Sequence, residues 1–317
     1  MARIDTKVLY NGAHLVLNGD EIVFGGTAIG TEWVQVANTA TGAGQATNLA
    51  ILNDKIYTAT YNGNLLEWNN TDAWVSVADN DAKHVQIGVL NGELYSVSLL
   101  GELYKWDGVD TWTTLVTSSN VLTTMYVFDN KIYALKNDGT LLEWDNASSW
   151  VAKTSSLSVG YTMVEYNSEL YMATFSISGS KMYKWNGINA WTEVATNYNY
   201  QMIQHLCVFN DKIYASTNIN PVNPETGGTL LEWDSVDEFV QVAPILNGEY
   251  ALWSLLDYQG DLYAGTGITG YLYVWNGTNA WEQVANYVGA SDFFSGLIEH
   301  NSALYGVLYQ TNKLFLC

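Results

Sequence analysis

Residues 53–78 read NDKIYTATYNGNLLEWNNTDAWVSVA, and the pattern within this stretch returns along the whole chain. A turn (Asn53-Asp54) leads into a short apolar strand ending on Tyr57. A Gly-led strand then ends on Trp68, and after a polar turn a last strand opens on Trp74. Working outward, the Tyr recurs at Tyr95, Tyr133, Tyr171, Tyr214, Tyr263 and Tyr305, with steps of 38, 38, 38, 43, 49 and 42 residues. The first Trp recurs at Trp106, Trp144, Trp185, Trp233 and Trp275. Six residues after each comes Trp112, Trp150, Trp191, Phe239 or Trp281. Each unit is four short β-branched and aromatic strands separated by Asn/Asp/Gly turns, and a four-stranded unit of this length, repeated, is the signature of a propeller blade.

The ends set the blade count. The stretch from Phe294 to Cys317 supplies three strands and stops where a Trp would sit, while Trp33-Val34-Gln35-Val36-Ala37 supplies a fourth strand with no unit before it. Three strands from one end and one from the other make a seventh blade, and such closure removes open sheet edges. The reading is an all-β, seven-bladed propeller over residues 31–317. Eight blades would require residues 7–37 to form a unit, and they carry neither the Tyr nor the first Trp. Residues 1–30 stand outside the repeat. They read as two or three short strands that either pack on the disc or dock the propeller onto another protein.

The consensus N-(D/G)-x-(I/L)-Y…G-x-L-x-x-W-x₅-W-x-x-V-A resembles kelch-like and tachylectin/tectonin-like propeller repeats. It lacks the paired Gly of kelch and the Trp-Asp of WD40. Asn/Thr/Gly-rich acidic repeats of this kind look like those on phage and bacterial surface proteins. The resemblance implies a virion or extracellular-surface binding protein such as a phage fibre, decoration or receptor-binding component, assembled as an oligomer and joined to other virion proteins through residues 1–30. A soluble multivalent lectin is the second reading, and a propeller glycosidase or lyase the third.

Composition narrows the partners. The 317 residues carry 12 Lys+Arg against 32 Asp+Glu, a net charge of −20, with 48% apolar and 14% charged residues. That much apolar surface excludes a disordered chain, and the negative charge argues against nucleic acid or an anionic membrane. No apolar run approaches a bilayer span, and no secretory signal is expected from MARIDTKVLYNGAHLVLNGDE. Cys207 and Cys317 make no disulfide scaffold.

No Gly-x-Ser-x-Gly, phosphate loop, His-Glu-x-x-His or Cys-x-x-Cys occurs, so no catalytic residue is assigned and no enzyme is expected. His14, His84, His205 and His300 are scattered. On the innermost strands, Glu165, Asp257 and Glu299 share a position that is apolar in four blades. They read first as solvated carboxylates and second as ligands for Ca²⁺, the only cofactor considered. Loops between strands two and three, and between blades, vary in length and share one face. The longest is Thr217–Gly228. On that face the candidate ligand-binding residues are Tyr198, Tyr200, Tyr250, Trp253, Tyr287, Asp292 and Phe293, rings beside polar groups that suit a glycan. Trp253 is the one Trp the repeat does not explain. Asn69, Asn146 and Asn276 head Asn-x-Ser/Thr sequences within uniform turns, where turn chemistry is the expected role.

Overall fold

The computed structural model describes residues 15–17, 20–22, 33–118, 121–176, 179–197, 202–218, 228–244, 246, 249, 251–267, 269–285 and 292–317. Seven four-stranded antiparallel sheets form the blades of a propeller. From the axis outward, blade 1 is Ala46–Leu52, Lys55–Thr60, Leu65–Trp68 and Trp74–Ala78. Blade 2 is His84–Leu90, Glu93–Ser98, Glu102–Trp106 and Trp112–Thr117, and blade 3 is Leu122–Phe128, Lys131–Lys136, Leu141–Trp144 and Trp150–Ala152. Blade 4 comprises Val159–Tyr166, Glu169–Phe175, Ser180–Trp185 and Trp191–Asn197. Blade 5 comprises Ile203–Phe209, Lys212–Thr217, Leu230–Trp233 and Phe239–Gln241, and blade 6 comprises Leu252–Tyr258, Asp261–Thr266, Leu272–Trp275 and Trp281–Ala285. Blade 7 takes Phe294–His300, Ala303–Leu308 and Leu314–Leu316, then pairs Leu314–Leu316 with Val34–Ala37. Consecutive inner strands pack side by side around the axis, and blade 7 meets blade 1. Strands Leu15–Leu17 and Asp20–Ile22 pair as a hairpin; the rest of the docking segment expected over residues 1–30 lies outside the described residues.

The repeated rings explain why blades stack. Six of the seven second-strand Tyr lie against the third-strand Trp of the next blade. Tyr57–Trp106, Tyr95–Trp144, Tyr133–Trp185, Tyr171–Trp233, Tyr214–Trp275 and Tyr305–Trp68 have centroids 5.3–5.7 Å apart. Tilted pairs at this separation add to the area they bury. The seventh, Tyr263, shares its buried cluster with Cys317, the residue at the missing Trp position.

The turns between third and outer strands are built by one side chain each. In blade 1, Asn69 Oδ1 accepts from the amides of Thr71, Asp72 and Ala73. Asp107, Asp145, Asn186, Asp234 and Asn276 repeat that three-amide cap. The Asn69 and Asn276 sequences thus serve turn geometry, and Asn146 sits in the same turn at φ 61°.

Candidate functional site

A β-bulge interrupts the first residues of every inner strand, on the face where the variable loops lie. A bulge leaves its extra residue out of the ladder and re-aims its side chain. In blades 4, 5 and 6 the bulged residues are Tyr161, Gln204 and Trp253. Trp253 thus gains a reason that the repeat alone did not supply: it stands at the mouth of the channel.

Trp253 stacks on Phe293, centroids 4.0 Å apart and planes 20° off parallel. Phe293 stacks on Tyr309 at 4.5 Å and 17°, and Tyr309 meets Tyr61 edge-on at 6.0 Å. Blades 6, 7 and 1 together therefore build a row of four half-buried rings. Gly267 makes room for it, because a Cβ there would lie 2.3 Å from Trp253 Nε1. The Tyr61 hydroxyl hydrogen-bonds that of Tyr309, and burial together with this contact pushes the Tyr61 phenol up to about 12. Across the channel, Tyr161 hydrogen-bonds Gln204 and feels the charge of Tyr61, and burial raises its phenol too. Gln204 is buried, with Oε1 unpartnered among the described residues.

The structure brings together three of the expected ligand residues. Trp253 and Phe293 share the row. Asp292 adjoins it but is 1% exposed, and its carboxylate accepts from the amides of Phe293, Gln310 and Thr311 and from the Thr311 hydroxyl. Burial sets Asp292 under the rings, where it fixes two loops, rather than among them at the surface. Tyr198, Tyr200, Tyr250 and Tyr287 lie outside the described residues, as does most of the long insertion. Tyr61, Tyr161, Tyr309 and Gln204 were not picked out from sequence. Their signal was the position just after the second strand, or the bulge position, read across blades.

Glu165, Asp257 and Glu299 are exposed, near the opposite end of the inner strands. Among the described residues no group of three or more His, Cys, Asp or Glu is placed to hold a metal ion. The three residues come from blades 4, 6 and 7, with Val208 of blade 5 between the first two.

One constellation resembles a nucleophile relay. Ser96 Oγ lies 2.7 Å from His84 Nδ1, and His84 Nε2 lies 3.1 Å from Asn80 Oδ1. His84 is wholly buried, 4.9 Å from the Trp112 ring centroid, and burial pushes its imidazole down to about 4. A hydroxyl sealed this way meets no substrate, and the group reads as packing.

Two clefts open between blades 1 and 2. One of about 740 Å³, on the short-turn face, is flanked by the Lys55–Glu67 and Lys105–Glu93 ion pairs at 2.5 and 2.6 Å. The other, about 460 Å³, adjoins Tyr61 on the loop face and is lined by Thr41, Asn62, Asn64, Asp79, Asp81 and Lys83.

No protein-family model matches the chain, and no curated protein sequence matches it. Solved structures do. YCF48 bound to D1 peptide superposes with a TM-score of 0.64 at 14% identity, covering 90% of this chain and 95% of that one. The WD40 β-propeller domain of Doa1 gives 0.67 at 13% identity, over 90% and 96%. A catalytically inactive virginiamycin B lyase from Staphylococcus aureus, with quinupristin, gives 0.70 at 9% identity, over 90% and 98%. At such identities the likeness is one of fold, and what this chain shares with all three is the β-propeller.

Proposed function

We propose that the protein is a non-enzymatic binding propeller that recognises a surface glycan through the loop face at the channel mouth. The observation that carries this reading is the half-buried ring row Trp253–Phe293–Tyr309–Tyr61 beside polar side chains. Stacking holds the rings in place before a ligand arrives, so little side-chain freedom is lost on binding. Ring faces and edges suit the C–H surfaces of a sugar, and neighbouring amides and hydroxyls suit its O–H groups. In this reading the propeller belongs to a virion or another extracellular particle, with residues 1–30 as its link to neighbouring proteins. The repeat character and the acidic composition support that setting.

The test is a glycan array probed with purified protein, with and without EDTA. Binding to a restricted sugar class, unaffected by EDTA and lost in Trp253→Ala with only a small fall in melting temperature, is the expected result. A blank array would overturn the glycan reading. It would favour a protein partner, the kind of ligand that the YCF48 structure with D1 peptide contains.

A further inference from the structure

The ring row does not end at Tyr61. That residue also forms one wall of the 460 Å³ cleft, so the two features are continuous. Three loops shape the cleft, the stretch around Thr41 and Gly42 that leads into blade 1, the turn Tyr61–Asn64 and the connection Asp79–Lys83 to blade 2, and their close approach is written into the sequence. Gly63 has φ +92°, and a Cβ on it would lie 2.4 Å from the Asp81 amide nitrogen. A Cβ on Gly44 would lie 2.7 Å from the Asn62 side chain. The Asp81 contact is with backbone and requires glycine at 63, while at Gly44, with φ +78°, any side chain would be strained and would displace Asn62.

The walls are braced from within. Asn62 Nδ2 donates to Gly42 O at 3.0 Å, and Asp79 Oδ1 accepts the Asp81 amide at 3.2 Å. The Lys83 carbonyl accepts Leu99 N at 2.8 Å, and the buried His84 holds both Asn80 and the Gly63 backbone. The loop carrying the carboxylates is thus anchored to the sealed interior of blade 2.

The lining decides the ligand class. Asp79 and Asp81 outnumber Lys83, and the whole chain carries −20, so an anion is disfavoured. Among the described residues that line it Tyr61 is the one ring, so an apolar ligand gains little. Carboxylates, primary amides and a hydroxyl side by side match vicinal O–H groups, which need donors and acceptors within one small volume. We infer that this cleft is a terminal subsite for a neutral or amino-bearing saccharide, whose chain continues along the ring row through Tyr61. This rests on the glycan reading above and adds that the site reads the end of the chain.

The test uses the full-length protein on immobilised oligosaccharides of one to six units, free or blocked at the terminal sugar. Asp79→Asn combined with Asp81→Asn keeps the Oδ1 acceptor, and Asn tolerates the Asp81 φ of +57°. This variant should therefore keep the wild-type melting temperature. It should bind unblocked chains about tenfold or more weakly, the effect expected on losing charge-assisted hydrogen bonds. Terminal blocking should weaken the wild type in the same way. If wild type and variant bind equally, and blocking has no effect, the cleft is not a subsite while the ring-row reading stands. If wild type binds no chain but the array shows another sugar class, the end-reading inference falls alone; a wholly blank array removes both.

Discussion

Blades 1 to 5 and blades 6 to 7 differ at one pair of positions, and the difference separates what holds the disc together from what its loop face offers. In blades 1, 3 and 5 the second strand opens on Lys55, Lys131 or Lys212, and the third strand carries Glu67, Glu143 or Glu232. Blades 2 and 4 swap the order, Glu93 with Lys105 and Glu169 with Lys184. In all five the carboxylate also accepts the hydroxyl of the buried second-strand Tyr, at 2.6–3.1 Å. Blades 6 and 7 hold Asp261 with Val274 and Ala303 with Leu316 at these positions, and no such pair forms. Those two blades contribute Trp253, Phe293 and Tyr309 instead. Regularity on the short-turn face and irregularity on the loop face thus coexist on one scaffold, which is where binding residues are expected to gather.

The largest effect should come from the shared ring lattice. Trp144 is buried and packs on Tyr95, so Trp144→Ala should lose about 3–5 kcal/mol in urea unfolding. The Trp253→Ala change on the array protein should lose far less, because Trp253 is only half-buried and its stack on Phe293 contributes about 0.5–1.5 kcal/mol. Equal losses would erase the distinction between lattice and platform.

Next comes acid sensitivity, which has opposite signs in the two regions. His84, in blade 2, is held neutral with a pKa near 4 against an ordinary 6.5. Its contribution is full above pH 6.5 and is lost as pH falls towards 4. Between pH 7 and 5 this amounts to about 2 kcal/mol. Glu249, beside blade 6, is pushed by burial up to about 7, so its contribution is present below pH 4.5 and lost as pH rises through 7. Unfolding of wild type and His84→Gln at pH 7 and pH 5 separates them. The variant should lose about 2 kcal/mol less on acidification, and identical pH slopes would refute the assignment.

Most of the lattice was legible in the sequence, because a Tyr and two Trp in fixed phase can be aligned by eye and each has one structural job. The closure through Val34–Ala37 followed from the same count. The site was legible only in part. Trp253 stood out because it broke the phase, and Phe293 because it lay in a variable loop. Tyr61 and Tyr309 were hidden at the ends of regular strands, where nothing local distinguishes a ring facing the channel mouth from one facing a neighbouring blade. Asp292 looked like a ligand because an acid beside a ring is ambiguous until its backbone partners are known. The three channel carboxylates shared a column, but a column fixes the position along a strand and not the distance across the axis.

The smallest effect tests whether the charge pairs stabilise the regular blades evenly. Glu143 has a side-chain exposure of 14% and takes Lys131, Lys153 and the hydroxyl of buried Tyr133, which together hold its carboxyl below the usual range despite burial. Glu93 makes the corresponding contacts to Lys105 and Tyr95 at 45% exposure. Glu143→Gln keeps an acceptor for Tyr133 but removes the charge from a screened-off network, so a loss of about 1–2 kcal/mol is expected. Glu93→Gln acts on a solvated pair and should lose under about 1 kcal/mol. Raising the salt concentration should shrink the Glu93 effect and leave most of that at Glu143. If both substitutions behave alike, burial is not what grades these pairs, and the contrast between blades 1–5 and blades 6–7 reduces to their rings.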